Sequence, residues 1–163
     1  MDLKPMEENL SEAWGLHNAE KILKKILEGA TGEHDTLVDF LQKEKLVVCS
    51  YALGKLLASN KVGLRTSQLR RFYHSMLNLK AEISLASQNV NLNENSKIDI
   101  LSGVLQLKPL LANAGAKQPQ QVQPFFLVVN RLLDEVKSNA DYQRLCQFVE
   151  AVVAYHRYCG GRD

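Results

Sequence analysis

Apolar residues recur along this chain every three to four positions, the spacing of amphipathic helices, and no stretch sustains the alternation of a half-buried strand. The pattern predicts an all-α fold, a compact bundle of five to six helices in a single domain. Residues 1–16 are expected to be a loosely ordered acidic N-terminal segment, and residues 17–163 the helical bundle domain. The predicted helical stretches are 18–28, 36–59 with a break near 43–45, 67–85, 96–113, 125–137 and 140–158.

Several residues predict where these helices begin or bend. Thr66 stands where an N-cap is needed before residues 67–85, and Asn139 does so for the last helix. Ser96 followed by Asp99 resembles a capping box. Pro109 is expected to bend or interrupt its helix. The asparagine-rich stretch 87–95 and the Gln/Pro-rich stretch 117–124 predict the connections on either side of that helix.

Composition narrows the class of protein. A chain of 163 residues with 45% hydrophobic and 23% charged residues suits one globular domain and excludes a wholly disordered chain. No apolar stretch reaches the length of a membrane span, and the acidic opening residues lack the apolar run of a secretory signal. The three cysteines are odd in number and widely separated, which favours reduced thiols in a cytoplasmic protein.

The net charge of +2 hides an asymmetry along the chain. Residues 1–44 carry ten acids and five bases, whereas residues 45–163 carry eight acids and fifteen bases. No acid occurs between Glu44 and Glu82, yet seven lysines and arginines do, and the stretch between Asp99 and Asp134 is also free of acids. Such stretches hold the local potential positive and attract phosphates, although a chance excess on a solvated face is the plain alternative.

Residues 67–85 separate on a helical wheel into an apolar and a basic side. The apolar stripe is predicted to face the core and comprises Leu69, Phe72, Tyr73, Met76, Leu79 and Ile83. Arg70, Arg71, His74 and Asn78 fall on the opposite side, and Arg65 comes just before the helix. Polar helix faces are common, but a face built for stability usually mixes charge signs at a spacing of four residues. This one offers no acid to pair with its bases, which favours contact with phosphates.

Candidate catalytic and metal-binding groups are sparse, and we expect no enzyme and no cofactor. His34-Asp35 matches the dipeptide of metal-dependent phosphohydrolases, but no second His/Asp pair accompanies it. His156, Cys159 and Cys146 lack a fourth metal ligand, so a hydrogen-bonded core histidine is the better interpretation of His156. The chain has no glycine-rich phosphate loop and no nucleophile motif.

Three blocks of sequence together resemble one family. They are LRTSQLRRFYHSMLNLK (64–80), LQLKPLLANAGAK (105–117) and FVEAVVAYHRYCGGRD (148–163). In this order they are similar to the small subunit of type III-A CRISPR effector complexes, the Csm complex. The resemblance implies a helical bundle without catalytic activity, which stacks as a filament along the duplex of guide RNA and target RNA. It also implies as partners the backbone subunits, the large subunit and further copies of the chain, with no membrane.

The resemblance implies a basic surface on Arg70, Arg71 and Lys108. The family often places a tyrosine and then a basic residue after the Leu-Lys-Pro block, where this chain has Asn113 and, slightly later, Lys117. The predicted RNA-binding residues, which would contact phosphates and sugars without reading bases, are Arg65, Arg70, Arg71, His74, Lys108 and Lys117. Three alternatives stay open: a DNA-binding regulator, a protein-interaction module with a basic face, and a phosphohydrolase.

Overall fold

A computed structural model describes residues 5–28, 30, 36–88 and 95–162 of the chain, without the side chains of 86–88 and 95–99. The His34-Asp35 dipeptide and most of the predicted 87–95 connection lie outside the described residues. The side chains of the Ser96–Asp99 capping pair lie outside them as well.

The described residues form eight α-helices and no strand, which confirms the all-α class but exceeds the five to six helices predicted. The extra helices are short: one comes from the N-terminal segment, and the other from the predicted break in the 36–59 stretch, which falls at residues 41–42 and not near 43–45. The helices are α1 (Met6–Ala13), α2 (Ala19–Leu27), α3 (Leu37–Phe40), α4 (Lys43–Ala58), α5 (Thr66–Gln88), α6 (Asn95–Lys117), α7 (Pro119–Asp134) and α8 (Asn139–Tyr158).

Helix α1 lies in the segment that the sequence predicts to be loose. Glutamates in its first turn favour the helix because that end carries a partial positive charge. Leu10 and Trp14 pack against the core, and Lys55 of α4 forms an ion pair with Glu8 at 3.5 Å. Only a few apolar side chains anchor α1, which is why periodicity alone does not reveal it.

Helices α4 and α8 pack together at the centre of the bundle. Gly54 permits their close approach, because a Cβ atom there would lie 2.8 Å from the backbone nitrogen of His156 and 2.9 Å from the Cβ of Tyr155. Val48, Leu53 and Val149 are fully buried around this crossing. Helices α1, α2 and α7 contact α4, helices α3 and α5 contact α8, and α6 packs against α5 and α7.

Two predicted caps are displaced by one residue. Ser138, not Asn139, caps α8, since its hydroxyl accepts a hydrogen bond from the amide of Asp141 at 3.1 Å. Thr66 is the first residue of α5 and is buried, while the carbonyl of Arg65 accepts the first helical hydrogen bond from Leu69. Arg65 therefore occupies the capping position.

Pro109 does not interrupt α6, which continues past the predicted end at residue 113 to Lys117. Proline removes one backbone hydrogen bond, and Pro109 lies on the exposed side of the helix. Most of the 117–124 stretch, predicted as a connection, is helical, since residues 119–124 form the first turns of α7, with Pro119 as its first residue. The two helices therefore meet at a sharp corner around Gln118.

Helix α5 is fixed between α8 and α6. The hydroxyl of Tyr142 donates a hydrogen bond to the carbonyl of Met76 at 2.6 Å, which ties the middle of α5 to α8. The amide of Thr66 donates to the carbonyl of Arg162 at 2.7 Å, so the stretch after α8 holds the start of α5. The basic helix is thus rigidly placed at the surface of the bundle.

Candidate nucleic-acid interface

The inner side of α5 follows the sequence prediction. Leu69, Phe72 and Met76 are buried, and Tyr73, Leu79 and Ile83 are partly buried against the core. This stripe is hydrophobic core, and its rings contribute to packing: Phe72 lies edge-on to Phe125 of α7 with ring centroids 5.5 Å apart.

The outer side of α5 presents the predicted basic residues. Arg71, His74 and Asn78 are exposed, and Arg65 is exposed just before the helix. Arg70 is half-buried at the edge of this strip. The basic strip, as we name it, comprises Arg65, Arg70, Arg71, His74 and Asn78.

The arginines of the basic strip have no acidic partner among the described residues. In the ranges that the structure describes, no carboxylate lies within 4.0 Å of the guanidinium of Arg65, Arg70 or Arg71. Arg65 and Arg71 are therefore exposed to solvent, and no described carboxylate pairs with either of them. Unpaired guanidiniums on a rigid helix are well suited to bind phosphate oxygens.

A groove joins the basic strip to the end of α6. Arg71 lines it from α5, and Lys117 lines it from the last turn of α6. The first turns of α7 close the groove, and the side chains of Gln68 and Gln118 contact each other across it. The structure thus brings together two predicted residues that are separated by more than forty positions in the sequence.

Lys108 does not join this cluster. Its ammonium group forms an ion pair with Asp134 near the end of α7, so the expectation of an unpaired base fails at this position. Asp134 is 26 residues away from Lys108 in sequence. The corner between α6 and α7 brings it next to Lys108 in the fold. Part of the positive potential at Lys108 is therefore neutralised.

His156 has a structural role beneath the start of α5. It is fully buried, and its Nε2 lies 2.6 Å from the carbonyl of Leu64, so Nε2 carries the proton and donates. Its Nδ1 lies 3.5 Å from the hydroxyl of Thr66. Burial lowers the pKa of His156, which keeps the ring neutral. This arrangement confirms the interpretation of His156 as a hydrogen-bonded core histidine.

The cysteines do not assemble a metal site with His156. Burial raises the pKa of Cys146 and of Cys159, which disfavours the thiolate that a metal requires. Among the described residues, no three His, Cys, Asp or Glu side chains are grouped closely enough to hold a metal ion.

Sequence reasoning missed the polar residues that line the groove. Gln68, Asn113 and Gln118 lie there beside the two cations. Gln68 precedes Arg71 by three residues, which places both on one side of α5 and is the signal that could have found it. Asn113 is the last residue of the predicted helix, whereas Gln118 joins the groove because α6 runs four residues longer than predicted and α7 begins directly after it.

The fold and this surface define a class: small all-helical proteins with a basic face on which the described residues place no carboxylate partner for Arg65, Arg70 or Arg71. The family model for Csm2 Type III-A matches residues 41–162. The chain belongs to that family, and it is the small subunit of a type III-A Csm complex, a CRISPR effector assembled from several subunits. The family is one of structural subunits. The matched region includes α4 to α8 and therefore the whole basic strip.

Neither the curated proteins nor the solved structures include a significant match to the chain. In the described ranges, no helix combines the length and apolar character that crossing a bilayer requires.

Proposed function

We propose that this chain is a non-catalytic, cytoplasmic RNA-binding subunit, which stacks as a filament along the duplex of guide RNA and target RNA. The observation that carries the proposal is the unpaired basic strip, which the groove joins to Lys117. Arg65, Arg71, His74 and Lys117 are the principal phosphate and sugar contacts. Arg70 contributes from the edge of the strip, and Lys108 contributes less because it is paired with Asp134.

The chemistry of these side chains suits backbone contact without sequence readout. Guanidinium and ammonium groups bind phosphate oxygens through charge, and each contact releases counterions from the RNA. In a guide-directed complex, base pairing supplies the sequence information, so a subunit that holds the backbone is sufficient. A single copy should bind weakly and in a salt-sensitive way.

A second surface supports self-association. One side of α6, which we name the α6 strip, is apolar and exposed to solvent, with Leu101 51% and Leu105 63% exposed. Exposed contiguous apolar surface commonly marks a protein contact. Neighbouring copies or the other subunits of the complex would cover it, and a filament of copies would gain avidity on a long RNA. The strip comprises Leu101, Leu105, Pro109, Ala112 and Ala116.

The proposal is tested by RNA binding of the Arg70→Ala/Arg71→Ala variant over a range of salt concentrations. We expect weaker affinity and a smaller slope of log K against log salt, by about 0.7 for each lost contact on a single strand. The matched control is Lys21→Ala/Lys24→Ala on α2, which removes the same charge from exposed positions outside the basic strip.

Comparing the arginine variant with the lysine control separates the effect of a direct RNA contact from the effect of a lower net charge. An equal loss in both variants would mean that total charge, and not the basic strip, attracts the RNA. An affinity and slope unchanged in the arginine variant would exclude the strip as the binding surface. Tighter binding to one DNA sequence than to any RNA would favour the DNA-binding regulator instead.

A further inference from the structure

We propose that the groove between α5, α6 and α7 binds the base of one unpaired nucleotide, whose neighbouring phosphates contact Arg71 and Lys117. This inference rests on the proposed function, since it assigns RNA to the same surface. It goes beyond that function because it gives the subunit a contact with a base and not only with the backbone.

The floor of the groove is apolar and well packed. The buried side chains of Leu69, Phe72, Leu111 and Phe125 form much of it, and the edge-to-face contact of the two phenylalanine rings fixes their positions. Leu110, which is 50% exposed, forms part of its wall. An apolar floor favours the flat, weakly hydrated face of a base over a hydrated ion or sugar.

The rim of the groove is polar and positively charged. Asn113 and Gln118 carry amides, which both donate and accept hydrogen bonds, as the edges of bases require. The amide of Gln68 instead accepts from the backbone of Arg65 and donates to Gln118. Arg71 and Lys117 are exposed, and no described carboxylate lies within 4.0 Å of their charged groups. Among the described residues that line the groove, none is acidic. This charge pattern selects a ligand that combines a heterocycle with phosphate.

The size of the groove limits its occupant. Its volume is about 200 Å³, below the range of roughly 300–1,000 Å³ typical of pockets for drug-sized ligands. One base fits this description better than a larger ligand does. Bases inside a duplex are stacked and paired, so the occupant must be a nucleotide that is unpaired or displaced from the helix.

The test compares short oligouridine with a strand of the same length in which the ribose units carry no bases. Both strands present the same phosphates, so the basic strip alone does not distinguish them. We expect the wild-type chain to bind oligouridine at least about fivefold more tightly, the effect of one buried base. Ala114→Phe should fill the groove from α6 and abolish this preference, with the affinity for the baseless strand unchanged.

Ala154→Phe is the matched control, since it adds the same ring to an exposed position of α8 that lies outside both the groove and the α6 strip. It should keep the wild-type preference. Circular dichroism checks that both variants are folded. Should Ala114→Phe fail to fold, the methyl resonances of Leu110 and Val122 in the wild-type chain give the answer: they should shift with oligouridine and stay in place with the baseless strand.

The outcomes separate this inference from the proposed function. Equal, salt-dependent binding of the two strands by the wild-type chain would overturn the base site and leave backbone binding intact. Failure to bind either strand would overturn both. Methyl shifts at Leu110 and Val122 that grow with protein concentration without RNA would place a second copy in the groove and overturn the base site.

Discussion

At the scale of single residues, His156 shows how a buried titratable group ties stability to pH. Its ring connects the carbonyl of Leu64, two residues before α5, to the hydroxyl of Thr66, the first residue of α5. Burial lowers its pKa in the folded chain below the ordinary value of 6.5. The unfolded chain therefore takes up a proton at a higher pH than the folded chain does.

We expect the free energy of unfolding to fall as the pH drops below about 6.5 and toward the lower folded pKa of His156. Above that range the ring is neutral in both states and contributes no slope. Thermal melts of wild type and His156→Asn across this range measure the effect. The variant should be less stable near neutral pH but should lose less stability on acidification.

His74→Asn is the control, because His74 is exposed on α5 and has the same side-chain chemistry. It should retain the pH dependence of the wild-type chain. If the melting temperatures of wild type and His156→Asn changed with pH to the same extent, the assignment of the neutral, buried ring would be contradicted.

Lys108 and Lys117 illustrate how far charge could be predicted from sequence at this scale. Both lie in the same acid-free stretch, so the sequence predicts that both are unpaired cations available to RNA. The structure pairs Lys108 with Asp134 and leaves Lys117 exposed on the groove. The difference could not be predicted, because it depends on the tertiary path of α7.

We therefore expect Lys117→Ala to lower the salt slope of RNA binding by about 0.7, and Lys108→Ala to lower it by less. Asp134→Asn removes the partner of Lys108 and should strengthen RNA binding and steepen the slope. The measurement is a salt titration of all three variants with one RNA strand. Equal effects of the two lysine substitutions would show that the ion pair does not shield Lys108.

At the scale of helices, the contact of α4 with α8 depends on the absence of a side chain at Gly54. Gly54→Ala would place a Cβ atom 2.8 Å from the backbone of α8, which must then move away. Overpacking of this kind costs about 1–3 kcal/mol. Alanine also favours a helix over glycine by about 1 kcal/mol, which offsets part of that cost.

We expect Gly54→Ala to lower the free energy of unfolding in denaturant titrations. Gly115→Ala in α6 is the control, since the nearest atom to its added Cβ is Phe126 Cδ2 at 4.0 Å. That substitution should stabilise the chain by up to about 1 kcal/mol. Similar stabilities of the two variants would contradict the close crossing.

Long amphipathic patterns predicted their helices well, and short or interrupted ones did not. The stripe of α5 that begins at Leu69 was predicted with its buried side correct. Helix α1 was missed because its contacts with α4 give a short helix stability that its own sequence lacks. The end of α6 was predicted four residues early because the Gln/Pro-rich stretch 117–124 was interpreted as a connection, whereas α6 continues to Lys117 and α7 begins at Pro119.

At the scale of the whole molecule, the candidate site combines what the sequence predicts with what only the fold supplies. The basic side of α5 followed from periodicity and from the absence of acids. The groove that joins Arg71 to Lys117 could not be predicted, because it requires the corner between α6 and α7. Family resemblance predicted the class of complex, which the family match confirms.

The α6 strip provides a prediction about assembly. Leu101→Gln/Leu105→Gln keeps the net charge and removes the most exposed apolar side chains of the strip. We expect the variant to bind a short RNA with wild-type affinity but to lose cooperative binding to a long RNA, measured by sedimentation. Ser102→Gln, at an exposed position of the same helix, should leave cooperativity unchanged. Unaltered cooperativity in the leucine variant would exclude the strip as a contact between copies.

The central claim is that RNA contacts the face formed by α5 and the end of α6. Two-dimensional amide NMR spectra of the chain, titrated with a short RNA duplex at low salt, test it directly. We predict the largest shifts in Arg65–Asn78 and around Lys117, with little change in α2 and in the outer residues of α8. Shifts centred on α2 or α8, or no shifts at saturating RNA, would contradict the account.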